Sequence, residues 1–411
     1  MQLFLGRSYV KNHVEYVVPF ILGSGSFGNV FLCHVKEKSM ASLEAKVDLV
    51  VTRYSWEELP TVAIKFMKNP SGTSPEKNVV FALKEVEMYM EIRQFKKSTG
   101  RTCENIVLFY DYFHSITAAS IGLVLEYFPH DDYGTYILNL DVDEVHHYMG
   151  GLLKALDYLH SIPNSIVHGD IKPGNCLYQR RRKLLKLCDF GLALSSADVS
   201  GCIVECPSAT AFLSQGRNQG DSPLLATYGF RSFEALLSCR HHSPRVDVWA
   251  AGCIFFMILH MNLLIWSPKT EVLIAHLRKT RSYPKVTRSD ENILCLAQIM
   301  ARYGEYQVKK AVEAIGYPWY GKQQKQGYYE PSMSDKVKES KAYLAAKDKD
   351  SIKRLTNGVI LVNDGASGYL DSSRFPIQFF KLAHKMMALN PCERISAVDA
   401  FKELSQTRKI G

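Results

Sequence analysis

The first third of the chain consists of short apolar runs separated by polar or glycine-rich segments. Residues 16–22 and 29–35 are rich in β-branched and aromatic side chains, and a glycine cluster lies between the two runs. This pattern predicts two strands joined in a hairpin with a glycine-rich tip. Similar runs predict further strands at 61–67, 106–113 and 121–128. The N-terminal part is therefore expected to contain a small antiparallel sheet.

Two segments have apolar residues at helical spacing. A helix is predicted over 80–95, and its apolar positions among the charges are Leu83, Val86, Met90 and Ile92. A second helix is predicted over 142–160, and its apolar positions are Val145, Met149, Leu152, Leu153, Leu156 and Leu159. The remainder is expected to be mostly helical, with irregular insertions at about 195–225 and 316–375.

These patterns predict an α+β protein made of two units. A chain of 411 residues exceeds the usual size of one domain. The strands belong to a first unit, residues 1–126, and the helices dominate a larger second unit, residues 127–411. A ligand cleft between two such units is the natural expectation.

Composition and charge exclude several classes of protein. Hydrophobic residues make up 46% of the chain and charged residues 22%, which is ordinary globular composition and excludes wholesale disorder. The longest apolar run, 250–266, is interrupted by His260 and Asn262 and is shorter than the roughly 20 residues of a membrane span. It is predicted to form a buried helix. The first 13 residues hold no long apolar stretch, so neither secretion nor a membrane partner is expected.

The net charge and the cysteines leave two further possibilities open. The net charge of +9 permits an acidic partner but is too dilute over the chain to predict direct nucleic-acid binding. Scattered cysteines are typical of reduced thiols in a cytosolic or nuclear protein. Cys202 and Cys206, with Cys239, His241 and His242 downstream, form a weak zinc candidate.

The glycine cluster has a spacing suited to phosphate. Residues 23–30 read G-S-G-S-F-G-N-V, and glycines let backbone N–H groups approach phosphate without a side-chain clash. The cluster lies between two strands, which disfavours a dinucleotide site between a strand and a helix. Downstream, Lys65 ends the run V-A-I-K. It is either a solvated strand end or a cation for phosphate held by Glu85 or Glu87, of which we prefer Glu85.

A second string carries the chemistry of phosphoryl transfer. Residues 166–177 read I-V-H-G-D-I-K-P-G-N-C-L, and residues 187–191 read L-C-D-F-G. Together they supply the carboxylate of Asp170, the ammonium of Lys172, the carboxamide of Asn175 and the carboxylate of Asp189. Phosphoryl transfer needs a group that accepts the proton of the substrate hydroxyl, a cation for the transferred phosphate and oxygen ligands for Mg²⁺.

In these motifs and their order the chain resembles the eukaryotic protein kinases. The resemblance extends from about Tyr16 to Phe401, and also includes strings at 229–234, 247–252 and 390–396. It implies an α+β bilobal fold, with an antiparallel-sheet N-lobe and a larger helical C-lobe that carries the insertions. It also implies that the arginine of the last string, Arg394, pairs with Glu234 of the first.

The resemblance assigns a role to each site residue. As catalytic residues it implies Asp170 for the substrate proton, Lys172 for the γ-phosphoryl group and Thr227 bonded to both. Asn175 and Asp189 would bind Mg²⁺, and Lys65 held by Glu85 would anchor the ATP phosphates. The implied nucleotide-binding residues are Leu22, Gly23, Ser24, Gly25, Ser26, Phe27, Gly28, Asn29, Val30, Ala63, Lys65, Glu85, Leu125, Glu126, Phe128 and Leu177, where Glu126 and Phe128 contribute backbone groups.

Three strings are similar to one branch, the cell-division-cycle-seven kinase family. They occupy residues 127–133, 175–181 and 296–300. This similarity implies a nuclear (otherwise cytoplasmic) Ser/Thr kinase of the cell cycle that acts in the initiation of DNA replication. Its implied substrates are acidic Ser/Thr sites on helicase subunits, and its implied partner is a separate activating subunit. A pseudokinase scaffold and a Ser/Thr kinase of another branch remain the alternatives.

Several positions depart from the family pattern or allow two interpretations. Gly169 replaces the arginine that usually precedes the catalytic aspartate, which argues against loop phosphorylation as the main switch. Arg231 is predicted either to select an acidic residue after the phosphoacceptor or to brace its own loop. The run Arg180-Arg181-Arg182-Lys183 is either a nuclear signal or a charged turn between two strands, and we favour the turn.

Overall fold

The computed structural model describes residues 8–11, 14–25, 28–37, 61–67, 75–115, 120–195, 226–237, 242–260, 288–315 and 374–408. The chain forms two units: Met1–His130 with Lys186–Ala193, and Asp131–Leu185 with Leu194–Gly411. The α+β class is confirmed. The division differs from the predicted boundary after residue 126, because Leu187 exchanges backbone hydrogen bonds of 3.0 and 2.8 Å with Val107 and Asn105 of the first unit.

The first unit contains a six-stranded antiparallel sheet. Its strands are β1 (Ser8–Lys11), β2 (Val14–Gly25), β3 (Gly28–Glu37), β4 (Thr61–Met67), β5 (Phe109–Ser115) and β6 (Ser120–Glu126), in the spatial order β1-β2-β3-β4-β6-β5. The predicted strand at 106–113 begins later than expected, at Phe109, because Ile106 instead bridges to Leu187.

One helix, α1 (Pro75–Thr99), packs against β4 and β6. It is longer than predicted, and two of its four predicted apolar positions are solvent-exposed: Leu83 at 38% and Met90 at 45%. The packed side carries Val86 and Tyr89 together with the charged residue Glu85, all of them buried. The helix therefore directs a carboxylate into the interior of the unit.

The second unit is mainly helical in its described part. Its helices are α2 (Tyr133–Tyr136), α3 (Val142–His160), α4 (Phe233–Leu236), α5 (Arg245–His260), α6 (Arg288–Tyr303), α7 (Glu305–Ala314), α8 (Ile377–Met386) and α9 (Ala397–Thr407). Helix α3 has the predicted bounds, and a capping box of Asp141 and Glu144 fixes its start. Most of the two predicted insertions lies outside the described residues.

A short strand pair begins within the last two residues of the motif 166–177. Strands β7 (Cys176–Gln179) and β8 (Leu184–Leu187) form a two-stranded sheet, and the turn between them is Arg180–Arg182. Arg180 donates two hydrogen bonds, of 2.7 and 3.0 Å, to the carboxylate of Glu144. The basic run is thus a charged turn between two strands, as favoured from the sequence.

Helix α5 of the second unit is strongly apolar. Every residue from Val246 to Leu259 is buried, which matches the predicted buried helix over the part of the run that the structure describes. Gly252 lets this helix approach the end of α8 closely. A Cβ atom at this position would lie 2.8 Å from the Cγ of Met387 and 2.9 Å from the Cβ of Met386.

Within the described residues, no helix is long and apolar enough to cross a membrane.

A buried ion pair joins α4 to the loop before α9. The guanidinium of Arg394 donates two hydrogen bonds of 2.8 Å to the two carboxylate oxygens of Glu234. Both side chains are almost fully buried. Burial opposes the charged form of Glu234, but the guanidinium outweighs it and lowers the pKa of the carboxyl. The pairing implied by the resemblance is therefore present.

The close packing at Gly252 predicts that Gly252→Ala destabilises the second unit. The added methyl group would have to displace Met386 and Met387, and overpacking of this kind costs about 1–3 kcal/mol. Gly150→Ala in α3 is the matched control, since a Cβ atom there would lie 3.8 Å from Phe401, at ordinary contact distance. We expect Gly252→Ala to lower the urea midpoint relative to Gly150→Ala. Equal midpoints for the two variants would contradict this packing.

The Glu234–Arg394 pair predicts a pH-dependent contribution to stability. Because the folded-state pKa of Glu234 is lowered, the contribution is complete above the unfolded-state pKa of about 4.3 and is lost as the pH falls through the folded value. Glu234→Gln leaves Arg394 buried without its counter-charge, which should cost about 3–5 kcal/mol at neutral pH. Urea unfolding at pH 7 and at pH 4 should show a smaller difference between variant and wild type at the lower pH. An unchanged difference would contradict the role of the pair.

Candidate active site

In the first unit, three charged side chains of the predicted site meet. Lys65 on β4 donates hydrogen bonds of 2.9 and 2.8 Å to the two carboxylate oxygens of Glu85 on α1. Its ammonium also donates a bond of 2.5 Å to the Oδ1 of Asp189. The predicted choice of Glu85 over Glu87 matches the structure, in which Glu87 is exposed.

Burial and charge act against each other in this cluster. The side chains of Lys65 and Glu85 are only 6% and 0% exposed, whereas that of Asp189 is 22% exposed. Burial opposes the charged form of Lys65, but the carboxylates of Asp189 and Glu85 outweigh it and raise the pKa of the ammonium. Lys65 is therefore a fixed positive charge. Burial raises the pKa of Glu85 too, against the attraction of Lys65.

The glycine-rich segment closes the hairpin of β2 and β3. Gly23 lies opposite Val30, Ser24 opposite Asn29 and Gly25 opposite Gly28. The hydroxyl of Ser24 donates a bond of 2.8 Å to the side-chain oxygen of Asn29. Ser26 and Phe27, at the tip, lie outside the described residues.

The register of the sheet places three of the predicted nucleotide-binding residues. Val30 on β3 lies opposite Lys65, and Ala63 on β4 lies opposite Leu125 on β6. The exposed Leu22 is on β2, and the partly buried Leu177 belongs to β7 in the second unit.

The end of β6 and the segment after it have one backbone group suited to a nucleotide base at each of the two residues that the resemblance implied. The N–H of Glu126 donates a bond of 2.8 Å to the carbonyl of Leu108. The carbonyl of Glu126 is therefore the group suited to a nucleotide base. A ring nitrogen of His130 lies 2.9 Å from the carbonyl of Phe128, so the N–H of Phe128 is the corresponding group there.

In the second unit, the carboxylate of Asp170 is bonded on both oxygens. Its Oδ2 accepts a hydrogen bond of 2.6 Å from Lys172. Its Oδ1 accepts bonds of 2.9 and 2.7 Å from the backbone N–H and the hydroxyl of Thr227. Lys172 also donates a bond of 3.1 Å to that hydroxyl. The carboxylate of Asp170 is buried, whereas Thr227 is exposed, so the cluster has one face open to solvent.

Asn175 is oriented by the same residue. Its Nδ2 donates to the backbone carbonyl of Asp170 at 2.8 Å and to the carboxylate at 3.2 Å. This orientation leaves the carboxamide oxygen as the atom of Asn175 that suits a cation. In the first unit, Asp189 has a φ of +68° and accepts a bond of 3.3 Å from the N–H of Gly191. Both side chains thus carry the oxygen ligands that Mg²⁺ prefers.

One bracing residue was missed by the sequence analysis. Asp247, the acid near the start of α5, accepts bonds of 2.8 and 2.9 Å from the backbone N–H groups of His168 and Gly169. A ring nitrogen of His160 lies 3.0 Å from the same carboxylate. Gly169 has a φ of +75°, a conformation that suits a residue without a side chain. An acid opening an otherwise apolar run was the available signal, because a buried carboxylate needs donors.

The sequence also predicted a role for Arg231 and a candidate zinc site. Arg231 is 9% exposed, and it donates bonds of 3.2 Å to the carbonyl of Ala226 and 2.9 Å to the side-chain oxygen of Asn292. These contacts match the alternative in which Arg231 braces its own loop. For zinc, Cys202, Cys206, Cys239 and His241 lie outside the described residues. In the described ranges no group of three or more metal-binding side chains occurs.

A family of known proteins and several individual proteins have sequences similar to this chain. The family described as "Protein kinase domain" matches residues 46–404. Two proteins of Encephalitozoon cuniculi, "Probable cell division control protein 7 homolog 1" and "homolog 2", are each 28% identical over 214 residues, which is 48% of this chain and 54% of the relative. "Cyclin-dependent kinase E-1" of Arabidopsis thaliana is 27% identical over 262 residues, which is 61% of this chain and 45% of the relative.

The relatives and the family model cover different fractions of the chain. The chain spans about half the length of the curated relatives it matches. The family match, in contrast, covers most of the chain, from residue 46 to residue 404, and includes every catalytic motif after the glycine-rich hairpin. On that match, the chain belongs to the protein kinase domain family.

Proposed function

We propose that the protein is an ATP-dependent protein kinase that phosphorylates serine and threonine. The hydrogen-bond network of Asp170 is the observation that carries this proposal. Lys172 and Thr227 hold the carboxylate from both sides, and the cluster stays open to solvent on the side of Thr227. Such a carboxylate can orient a substrate hydroxyl and accept its proton during transfer of a phosphoryl group.

The second unit supplies the groups that act on the protein substrate. Asp170 takes the proton from the hydroxyl, and Lys172, at 2.6 Å from that carboxylate, provides positive charge for the transferred phosphoryl oxygens. The hydroxyl of Thr227 contacts both side chains and keeps them in one arrangement. Asp247 fixes the backbone of His168 and Gly169, the two residues that directly precede Asp170.

The first unit supplies the groups that act on the nucleotide. Lys65 is a buried cation held by Glu85, and it would bind the α- and β-phosphates. The glycine-rich hairpin would bring backbone N–H groups to the phosphates. In this unit Asp189 is the candidate ligand for Mg²⁺, an ion that when bound would neutralise charge on the phosphate oxygens. Asn175, the other candidate ligand for Mg²⁺, belongs to the second unit.

The proposal predicts that Asp170→Asn abolishes phosphotransfer while nucleotide binding persists. Asparagine keeps the size of the side chain but removes the proton acceptor, so the rate should fall by at least about 10²–10⁴-fold. The measurement is transfer of labelled γ-phosphate to a serine-containing protein, together with the Kd of ATP by calorimetry. Lys385→Met, which removes an exposed ion pair to Glu403, is the control and should behave as wild type.

The two outcomes that matter are distinct. Near-wild-type turnover in Asp170→Asn would remove Asp170 from its role. A wild-type protein that binds ATP and Mg²⁺ but transfers no phosphate, alone and with its activating subunit, would instead support the alternative of a pseudokinase scaffold.

We further propose that the kinase belongs to the branch that acts in the initiation of DNA replication. The support is the similarity to two proteins named as cell division control protein 7 homologs, together with the three branch-like strings of the sequence. This branch implies acidic Ser/Thr sites on helicase subunits, a separate activating subunit and a nuclear location. The net charge of +9 is compatible with acidic substrates.

The branch proposal predicts a preference for Ser/Thr followed by Asp, Glu or phosphoserine. A peptide array with all residues at that position, phosphorylated by the protein with its co-purifying partners, measures the preference. Cyclin-dependent and mitogen-activated kinases also match this chain, at 27% and 36% identity over 262 and 135 residues, and they represent the competing branch. A preference for proline or for basic residues would overturn the branch proposal and leave the kinase proposal intact.

A further inference from the structure

A partly buried ion pair lies next to the backbone group that suits the base. The Nζ of Lys186 donates a bond of 2.9 Å to the Oε2 of Glu126, and the exposed fractions of the two side chains are 9% and 19%. The same oxygen accepts a bond of 3.0 Å from the N–H of Leu108. The N–H of Glu126 in turn donates to the carbonyl of Leu108. Glu126 is thus fixed through both its backbone and its side chain.

Lys186 also contacts Phe128, the second residue whose backbone suits a nucleotide base. Its ammonium lies 5.7 Å from the centre of the Phe128 ring, within the distance of a cation–π interaction. Phe128 itself is buried. One lysine therefore contacts both residues whose backbone groups are candidates for binding a nucleotide base, Glu126 and Phe128.

Lys186 is itself placed by the backbone of the following residue. Leu187 donates to the carbonyl of Asn105 and accepts from the N–H of Val107, at 2.8 and 3.0 Å. Val107 precedes Leu108, which is bonded to Glu126. Hydrogen bonds therefore connect the ammonium of Lys186 to the carboxylate of Glu126, and Glu126 to the backbone of Leu108, all within the first unit.

We propose that Lys186 is a positioning residue for base recognition, which acts by fixing the carbonyl of Glu126. This inference rests on the proposed nucleotide binding. When a base with a 6-amino group binds, the carbonyl of Glu126 accepts a hydrogen bond from it. Without Lys186, the partly buried carboxylate of Glu126 lacks its counter-charge and turns toward water. The carbonyl on the same residue then loses its fixed direction.

The experiment compares two nucleotides that differ only in the 6-amino group. ATP has this group and purine riboside triphosphate lacks it, so the ratio of their Kd values, measured by calorimetry, reports the hydrogen bond to Glu126. In the wild type we expect ATP to bind about five- to tenfold more tightly. In Lys186→Met the ratio should fall to within about twofold of unity, because affinity is lost for ATP alone. Lys186→Arg keeps the charge and should retain the wild-type ratio.

Further variants separate positioning from folding. Glu126→Gln should lower the ratio as well, and the double variant Lys186→Met with Glu126→Gln should recover part of it, since no unpaired charge remains. Lys385→Met, whose ion pair with Glu403 is solvent-exposed, is the matched control and should keep the wild-type ratio. If Lys186→Met does not fold by circular dichroism, Glu126→Gln carries the test.

Three results would overturn the proposal. These are a wild type without preference for ATP, an unchanged ratio in a folded Lys186→Met or in Glu126→Gln, and an equal loss of affinity for both nucleotides, which would indicate a general structural role. Failure of the proposed function looks different. In that case the wild type would show the preference for ATP in binding but would transfer no phosphate, and the role of Lys186 would stand.

Discussion

Removing charged groups from water is the constraint on which both units depend. A buried ion without a partner costs several kcal/mol, so each one must meet an opposite charge or backbone donors. Lys65 meets Glu85, Glu234 meets Arg394, and Asp247 meets the N–H groups of His168 and Gly169. Each requirement fixes the relative position of elements that the chain alone leaves independent.

Some of the groups assigned to chemistry are more exposed than the groups that brace them. Asp247 and Arg394 are about 1% exposed, and neither is proposed to touch a substrate. Thr227 is exposed, and the side chains of Lys172 and Asp189 are 25% and 22% exposed. Arg231 is buried as well, and it donates hydrogen bonds to the carbonyl of Ala226 and to the side chain of Asn292. Burial alone does not separate the two kinds of charge, because Asp170 and Lys65 are proposed to act on substrate and nucleotide and are only 1% and 5% exposed.

The sequence similarity identifies the family of the domain, whereas the site geometry shows the contacts of individual residues. The family match covers residues 46–404 and fixes the class of domain. Identities of 27–28% with kinases of two branches leave substrate and partner as proposals. The structure adds detail within the class, such as the contact of Lys186 with Glu126 and Phe128, to which no sequence motif pointed. We propose that this contact serves the recognition of a base.

The sequence by itself determined the elements and the chemical groups of the site. Helix α3 begins and ends as predicted because its apolar spacing and its capping box are local, and the catalytic strings supply their side chains within a few residues. Only the tertiary structure decided the partners of Asp247, the burial of Arg231 and the face of α1 that packs on the sheet. The partners in these contacts, such as Asp247 with His168 and Arg231 with Asn292, lie 79 and 61 positions apart. Such pairs form only when packing brings distant segments together. The local spacing of residues does not predict which distant segment will pack against them.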